Sequence, residues 1–221
     1  MLYLFCNRSY GEPFLRTARE WSRRHGHAIT VILSDRRAAP HDPPRTGGGR
    51  LRRRLGSLRR RWKLGRELGL PVRVEADVNA KPLARRFDGT VGIVAGFDQI
   101  FKRRTIERFA ALVNFHPSLL PYYRGPVPAY WCLRNGETAT GFSLHRVVPA
   151  IDAGEVLWQQ AVPIEAGDSA ERLTQRIAAA AQPTFERYLS AVASGNPLEP
   201  RKLDAAAVYR VREEYNSFPS D

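Results

Sequence analysis

Asn114, His116 and Asp152 are residues that an acyl-transfer site could use together. The first two lie in the segment NFHPSLLPYYRGP at 114–126 and the third in IDAGEV at 151–156. Asn114 and His116 are two apart on a run, Leu112 to His116, that reads as a strand, so their side chains leave one face while Phe115 points to the other. Pro117 biases His116 toward extended geometry and removes the next ladder donor. The strand therefore ends there, with the polar pair at its carboxyl tip, where ligands bind in α/β sheets. Each residue alone also has an ordinary reading. Asn114 could satisfy backbone groups at a strand end, His116 could be a partly buried core histidine, and Asp152 could nucleate a turn before Gly154. The succession HPSLLP, YRGP, NGE, TG and IDAGE, in that order, is far more specific than any of its parts.

The elements that position these residues follow from periodicity. Leu2 to Cys6 reads as a first strand, followed by a loop with Asn7, Ser9 and Gly11 and a helix from about Pro13 to Arg24. Ala28 to Ser34 and Val72 to Ala76 are β-branched strands separated by a Pro- and Gly-rich loop at 40–49 and a basic helical stretch. Thr90 to Phe97 is almost continuously apolar, as a central strand covered on both faces should be. A short helix from about Pro128 to Asn135 ends at the turn signal NGE. Thr140 to Val147 and Glu155 to Ile164, joined by IDAG, read as an antiparallel pair at one edge. Asp168 and Glu171 have capping-box spacing before a long helix that Pro183 should kink or split. Strands alternating with helices imply an α/β fold with a mostly parallel sheet. Residues 1–200 are expected to form one catalytic domain and 201–221 a short tail.

The chain has 221 residues and a formal charge of +13. That length suits one sizeable α/β domain. Its two cysteines, Cys6 and Cys132, are too few for a disulfide framework and lack metal-ligand spacing, so a reducing cytoplasmic setting is expected and no metal. No stretch is long and apolar enough to span a bilayer, and the short run MLYLFC has no preceding basic region, so neither a membrane span nor secretion is expected. Most of the excess charge lies between Arg45 and Arg66, which holds ten basic residues and no acidic one. Leu51, Leu55, Leu58, Trp62 and Leu68 recur there at roughly helical spacing. The segment reads as a surface helix with an arginine-rich solvated face, or else as an anion-binding element.

The succession of motifs from HPSLLP to IDAGE closely resembles the folate-dependent formyltransferase family, which includes glycinamide ribonucleotide, methionyl-tRNA and sugar-nucleotide formyltransferases. The resemblance is strong over roughly residues 90–165 and looser elsewhere. It implies a Rossmann-like, formyltransferase-type sheet, with 10-formyltetrahydrofolate as donor and an amine as acceptor, and no metal. It implies that Asn114 donates to the oxyanion and that His116 stabilises it as imidazolium or shuttles the amine's proton. Asp152 would hold the working tautomer of His116 or order a proton-relaying water. The segment AGFDQI matches the family's folate side, where backbone groups would read the pterin. Ala95, Gly96, Phe97 and Ile100 would then line one side of the cofactor site, and Ala150, Ile151 and Asp152 the other. Ser9 and Tyr10, after the first strand, and Arg124, in the loop over the site, are candidates for binding an anionic acceptor. Ser118 reads as structural.

The expected acceptor is a small anionic amine, with a nucleotide-linked amino sugar first, because YRGP followed by PAYW looks closest to the tRNA and sugar branches. The chain is short for a separate tRNA-binding domain, which weighs against methionyl-tRNA. Glycinamide ribonucleotide and an amino acid of the hydroxyornithine type are the other acceptors considered. A different class of function would be an inactive formyltransferase-like protein that binds nucleic acid through its basic helix. That helix and the segment Asp204 to Asp221 are candidate contact surfaces for a homodimer.

Overall fold

The computed structural model describes residues 1–7, 10–34, 63, 65–196, 198–204 and 208–209. Seven strands form one sheet: β1 (Leu2–Cys6), β2 (Ile29–Ser34), β3 (Val72–Glu75), β4 (Val91–Ala95), β5 (Ala111–His116), β6 (Ala139–Arg146) and β7 (Val156–Pro163). Their order is β3-β2-β1-β4-β5-β6-β7, so β4 is the middle strand. Pairing is parallel from β3 through β5 and antiparallel for β5–β6 and β6–β7. The expected mostly parallel α/β sheet with an antiparallel edge is thus the observed one.

Alternation along β1 shows how the sheet is covered. Leu2, Leu4 and Cys6 face helices α1 (Glu12–His25) and α5 (Ala170–Ser194), in a core that includes Phe14, Trp21 and Phe185. Tyr3 and Phe5 face the opposite layer, where Phe5 packs against Phe87, Phe101 and Phe109 at ring separations of 5.4, 5.0 and 5.9 Å. Each fully buried aromatic of this kind contributes about 1.5–3 kcal/mol. Shorter helical elements include α2 (Lys81–Ala84), which runs on into a 3-10 turn at Arg85–Phe87, α3 (Arg103–Ile106) and α4 (Pro128–Arg134). The basic segment 45–66 lies largely outside the described residues.

Helix α5 departs from two expectations. Its N-cap is Ser169, whose hydroxyl accepts the Arg172 N–H at 3.2 Å, and not Asp168. Asp168 instead accepts the Glu165 N–H and pairs with Arg176, so its carboxylate is used one residue before the N-cap. Pro183 does not split the helix, which runs unbroken from Ala170 to Ser194. Buried side chains flank the proline on both sides, Ile177 and Ala181 before it and Phe185 and Leu189 after it, and their packing on the sheet outweighs the lost backbone bond.

Candidate active site

The carboxyl ends of β1, β4 and β5 open into a cavity of about 600 Å³, within the range of small-molecule sites. Chain order reverses between β1 and β4, the switch point at which open α/β sheets bind ligands. Asn114 and His116 leave β5 on the face opposite Val113 and Phe115, which are in the helix-side core. Both line the cavity.

Asp152 reaches them because the β6–β7 connection folds back tightly. A Cβ at Gly154 would lie 1.8 Å from the Arg146 carbonyl oxygen, so only glycine lets the turn lie against β6. Asp152 itself sits at φ 47°, a region that aspartate tolerates better than most side chains. Its Oδ1 accepts from Asn114 Nδ2 at 3.3 Å and its Oδ2 accepts the Gly125 N–H at 2.9 Å. His116 Nδ1 lies 3.4 Å from Oδ2.

The protonation of His116 follows from its other nitrogen. Nε2 is 2.8 Å from the Tyr123 carbonyl, which can only accept, so Nε2 carries the hydrogen and Nδ1 is the nitrogen free to take up a proton. Burial lowers the His116 pKa below 6.5, against the opposing pull of the Asp152 charge and the Tyr123 carbonyl. Burial alone would raise the Asp152 carboxyl, but His145, His116 and the Gly125 N–H outweigh it and bring it to about 2. The shares that come from His145, whose Nε2 is 3.4 Å from Asp152 Oδ1, and from His116 are present only when those rings bear a proton toward the carboxylate. With both rings neutral, the Gly125 N–H is the one of the three that remains.

His145 is a site residue that the sequence reading missed. It pairs with Asn114 across β5 and β6, where a register shift at Leu144/His145 marks an irregularity. Its Nδ1 lies 2.9 Å from the Arg146 carbonyl and so donates, leaving Nε2 to accept from Asn114 Nδ2 at 3.1 Å. A histidine near the end of the strand that leads into IDAG was the available signal. Gln99 was also missed. It lines the cavity and ties the 96–101 wall to the sheet, accepting the Val78 N–H at 2.7 Å and donating to Glu75 O and Ser34 Oγ, each at 2.9 Å.

Of the other residues singled out, Tyr10, Gly96, Phe97, Ile100 and Ile151 line the cavity. Gly96 has φ 68°, and a Cβ there would meet the Tyr10 side chain at 2.9 Å. Tyr10 is buried, and its hydroxyl has no hydrogen-bond partner among the described residues. Ala95, fully buried in β4, and the exposed Ala150 and Arg124 are not among the lining residues, although Arg124 directly precedes Gly125, which is. Ser9 lies outside the described residues. Ile100, Val127, Val148 and Ile151 line the cavity while remaining exposed, as expected around a site for a partly apolar ligand. Ser118 is fully buried and donates to Tyr122 O at 2.8 Å, a structural contact. Among the described residues no group of three or more His, Cys, Asp or Glu is placed to hold a metal ion.

A sheet end bearing an amide, a proton-accepting imidazole and an ionised carboxylate is equipped for acyl transfer, and comparison with known proteins points the same way. The human trifunctional purine biosynthetic protein adenosine-3 is 34% identical over 124 residues, which is 56% of this chain but only 12% of that protein. The chain therefore matches a small part of this relative's length. Among solved structures, glycinamide ribonucleotide transformylase 1 from Symbiobacterium toebii aligns with a TM-score of 0.64 at 21% identity, covering 92% of this chain and 93% of that one. An N-formyltransferase from Helicobacter canadensis, in complex with folinic acid and dTDP-3-aminofucose, aligns with a TM-score of 0.64 at 18% identity, covering 97% and 71%. At these identities the two structures establish the fold. The sequence model for "Formyl transferase" matches residues 69–189, which is more than half the chain and holds Asn114, His116 and Asp152, and on that match the chain belongs to the formyl transferase family.

Proposed function

We propose that the protein transfers a formyl group from 10-formyltetrahydrofolate to the amino group of a small anionic substrate. The observation that carries this reading is the meeting of Asn114, His116 and Asp152 on one cavity wall. The same cavity fits the donor, with Phe97, Ile100 and Phe101 as an apolar side for a flat ring and the 96–101 backbone, held by Gln99, to read its polar edge. The donor supplies an acyl carbon open to attack by an amine.

The residues then divide the work. Negative charge develops on the formyl oxygen, and Asn114 Nδ2 donates to it. Both amide hydrogens of Asn114 are engaged, so the oxyanion displaces the longer contact, 3.3 Å to Asp152, while His145 keeps the other and holds the amide plane. His116 takes the proton of the attacking amine at Nδ1 as the amine nitrogen bonds the formyl carbon, and the ionised Asp152 beside it stabilises the resulting imidazolium. When the intermediate collapses, the bond from the formyl carbon to the folate nitrogen breaks and that nitrogen takes the proton back from His116, releasing tetrahydrofolate and the formamide. Donation from Nε2 to Tyr123 O keeps the ring in this orientation throughout.

The acceptor is inferred from chemistry shared by its candidates. The exposed Arg124 directly precedes the cavity-lining Gly125, and a cation at that edge suits a phosphate-bearing amine. A nucleotide-linked amino sugar ranks first, supported by the match over 97% of this chain to an enzyme holding dTDP-3-aminofucose. Glycinamide ribonucleotide is the second reading, favoured by the 34% identity to a purine biosynthetic protein. The test is to measure tetrahydrofolate release from 10-formyltetrahydrofolate with a panel of nucleotide amino sugars, glycinamide ribonucleotide, hydroxyornithine and initiator methionyl-tRNA. Release with an amino sugar alone supports the first reading, and no release with any amine refutes formyl transfer.

A further inference from the structure

Tyr209 lies far along the chain from the site, yet it is buried against the loop that orients His116. Only 4% of it is exposed, and it packs with Leu119 and Cys132. Its hydroxyl accepts the Leu119 N–H at 3.0 Å across ninety residues of sequence and lies 3.1 Å from Thr140 Oγ1. Its ring centroid is 5.0 Å from that of Tyr123.

Tyr123 is the residue whose carbonyl meets His116 Nε2, and it adopts φ 55°. An aromatic side chain holds that backbone conformation only where its surroundings over-determine it. Several contacts do so, among them the Asn135 amide donating to the Tyr123 hydroxyl at 3.0 Å. Glu137 accepts from the Tyr123 hydroxyl at 2.5 Å, Ser118 Oγ donates to its carbonyl at 3.3 Å, and the Tyr209 ring packs against its side chain. Two residues later the same loop presents the Gly125 N–H to Asp152. A shift of this loop would move the partners of both the imidazole and the carboxylate.

We infer that Tyr209 is a positioning residue for formyl transfer: bonded to Leu119 and packed on Tyr123, it keeps the Tyr123 carbonyl on His116 Nε2 and thereby leaves Nδ1 as the proton-accepting nitrogen. The inference rests on the role given to His116 above. Loss of the Tyr209 hydroxyl leaves the buried Leu119 N–H without a partner, which favours a loop position where that group reaches water. In that position the His116 ring is released to its other tautomer.

The test uses Tyr209→Phe, which keeps the ring, and Tyr209→Ala, which does not. Nitrogen NMR of isotope-labelled protein, with His116→Gln to assign the signals, reads the His116 tautomer without any turnover. The wild type should hold its hydrogen on Nε2, and Tyr209→Phe should populate the Nδ1–H form. Assayed well below its melting temperature, Tyr209→Phe should lose roughly tenfold in kcat, the scale of a small misplacement of a proton-transfer group, with the donor KM nearly unchanged. The acid limb of its pH profile should also move. An unchanged tautomer and acid limb in Tyr209→Phe would overturn the inference whatever happens to stability, and Tyr209→Phe decides if Tyr209→Ala fails to fold. Should the wild type transfer no formyl group to any amine, the functional reading falls, and the tautomer still shows whether Tyr209 sets the His116 ring.

Discussion

His116 works in this scheme only while Nδ1 is unprotonated, and the surroundings of the ring favour that state. Because burial lowers its pKa below 6.5, the acid limb of the kcat profile should lie below pH 6.5. The Asp152 charge opposes that lowering, so in Asp152→Asn the limb should move to still lower pH while kcat falls. A limb that moves upward would contradict the assigned pairing. Truncation by His116→Ala should reduce kcat by ~10²–10⁴, the usual worth of a general acid or base. Binding of a non-reacting folate analogue, measured by calorimetry, should be nearly unaffected. That Asn114 and His116 share one face of β5 was legible in the sequence because strand alternation places residues two apart on the same side. His145 was not, because its relation to Asn114 is a cross-strand pairing of β5 with β6, which no local spacing encodes.

At the scale of elements, the β6–β7 turn and the start of α5 make opposite predictions. Gly154→Ala drives a Cβ into the Arg146 carbonyl, so the turn must shift and Asp152 with it. Steady-state assays should show kcat reduced roughly tenfold or more, on the scale of a misplaced catalytic group. Ser169→Ala should cost about 0.5–2 kcal/mol as a lost N-cap, seen as a lower melting temperature, with kcat unchanged. Equal effects of the two substitutions on kcat would mean that the turn does not position Asp152. Element types and order could be read from periodicity and turn residues. The cap of α5 could not, since Asp168 and Ser169 are adjacent and both suited to capping, and the choice was made by Arg176 reaching back to Asp168. The continuity of α5 through Pro183 was likewise decided by packing on the sheet.

For the whole molecule the question is how the charge of +13 bears on the acceptor. Among the described residues, Lys81, Arg85, Arg104 and Arg108 line a cavity of about 160 Å³ that shares no lining residue with the one containing His116. A small nucleotide-linked acceptor bound at the His116 cavity need not engage such outlying cations. Its KM should then rise less than about tenfold between 50 and 200 mM salt, whereas a nucleic acid held through six to ten phosphates would weaken by ~10³–10⁵. Assays of acceptor KM across that range decide between them, and a steep dependence would favour a tRNA acceptor.

Composition, alternation and the ordered motifs from HPSLLP to IDAGE were enough to determine the α/β class, the central strand, the antiparallel edge and the three polar residues proposed to do the chemistry. The elements are local, written in residue type and in spacings of a few positions, whereas Asp152, thirty-six residues beyond His116, was singled out through the ordered motifs and the family they resemble. Tertiary structure alone decided which nitrogen of His116 is free, which groups hold Asn114, and that Tyr209 braces the loop between them. Those outcomes depend on atoms contributed from as far as ninety residues away meeting within hydrogen-bond distance, and only the folded sheet sets such distances.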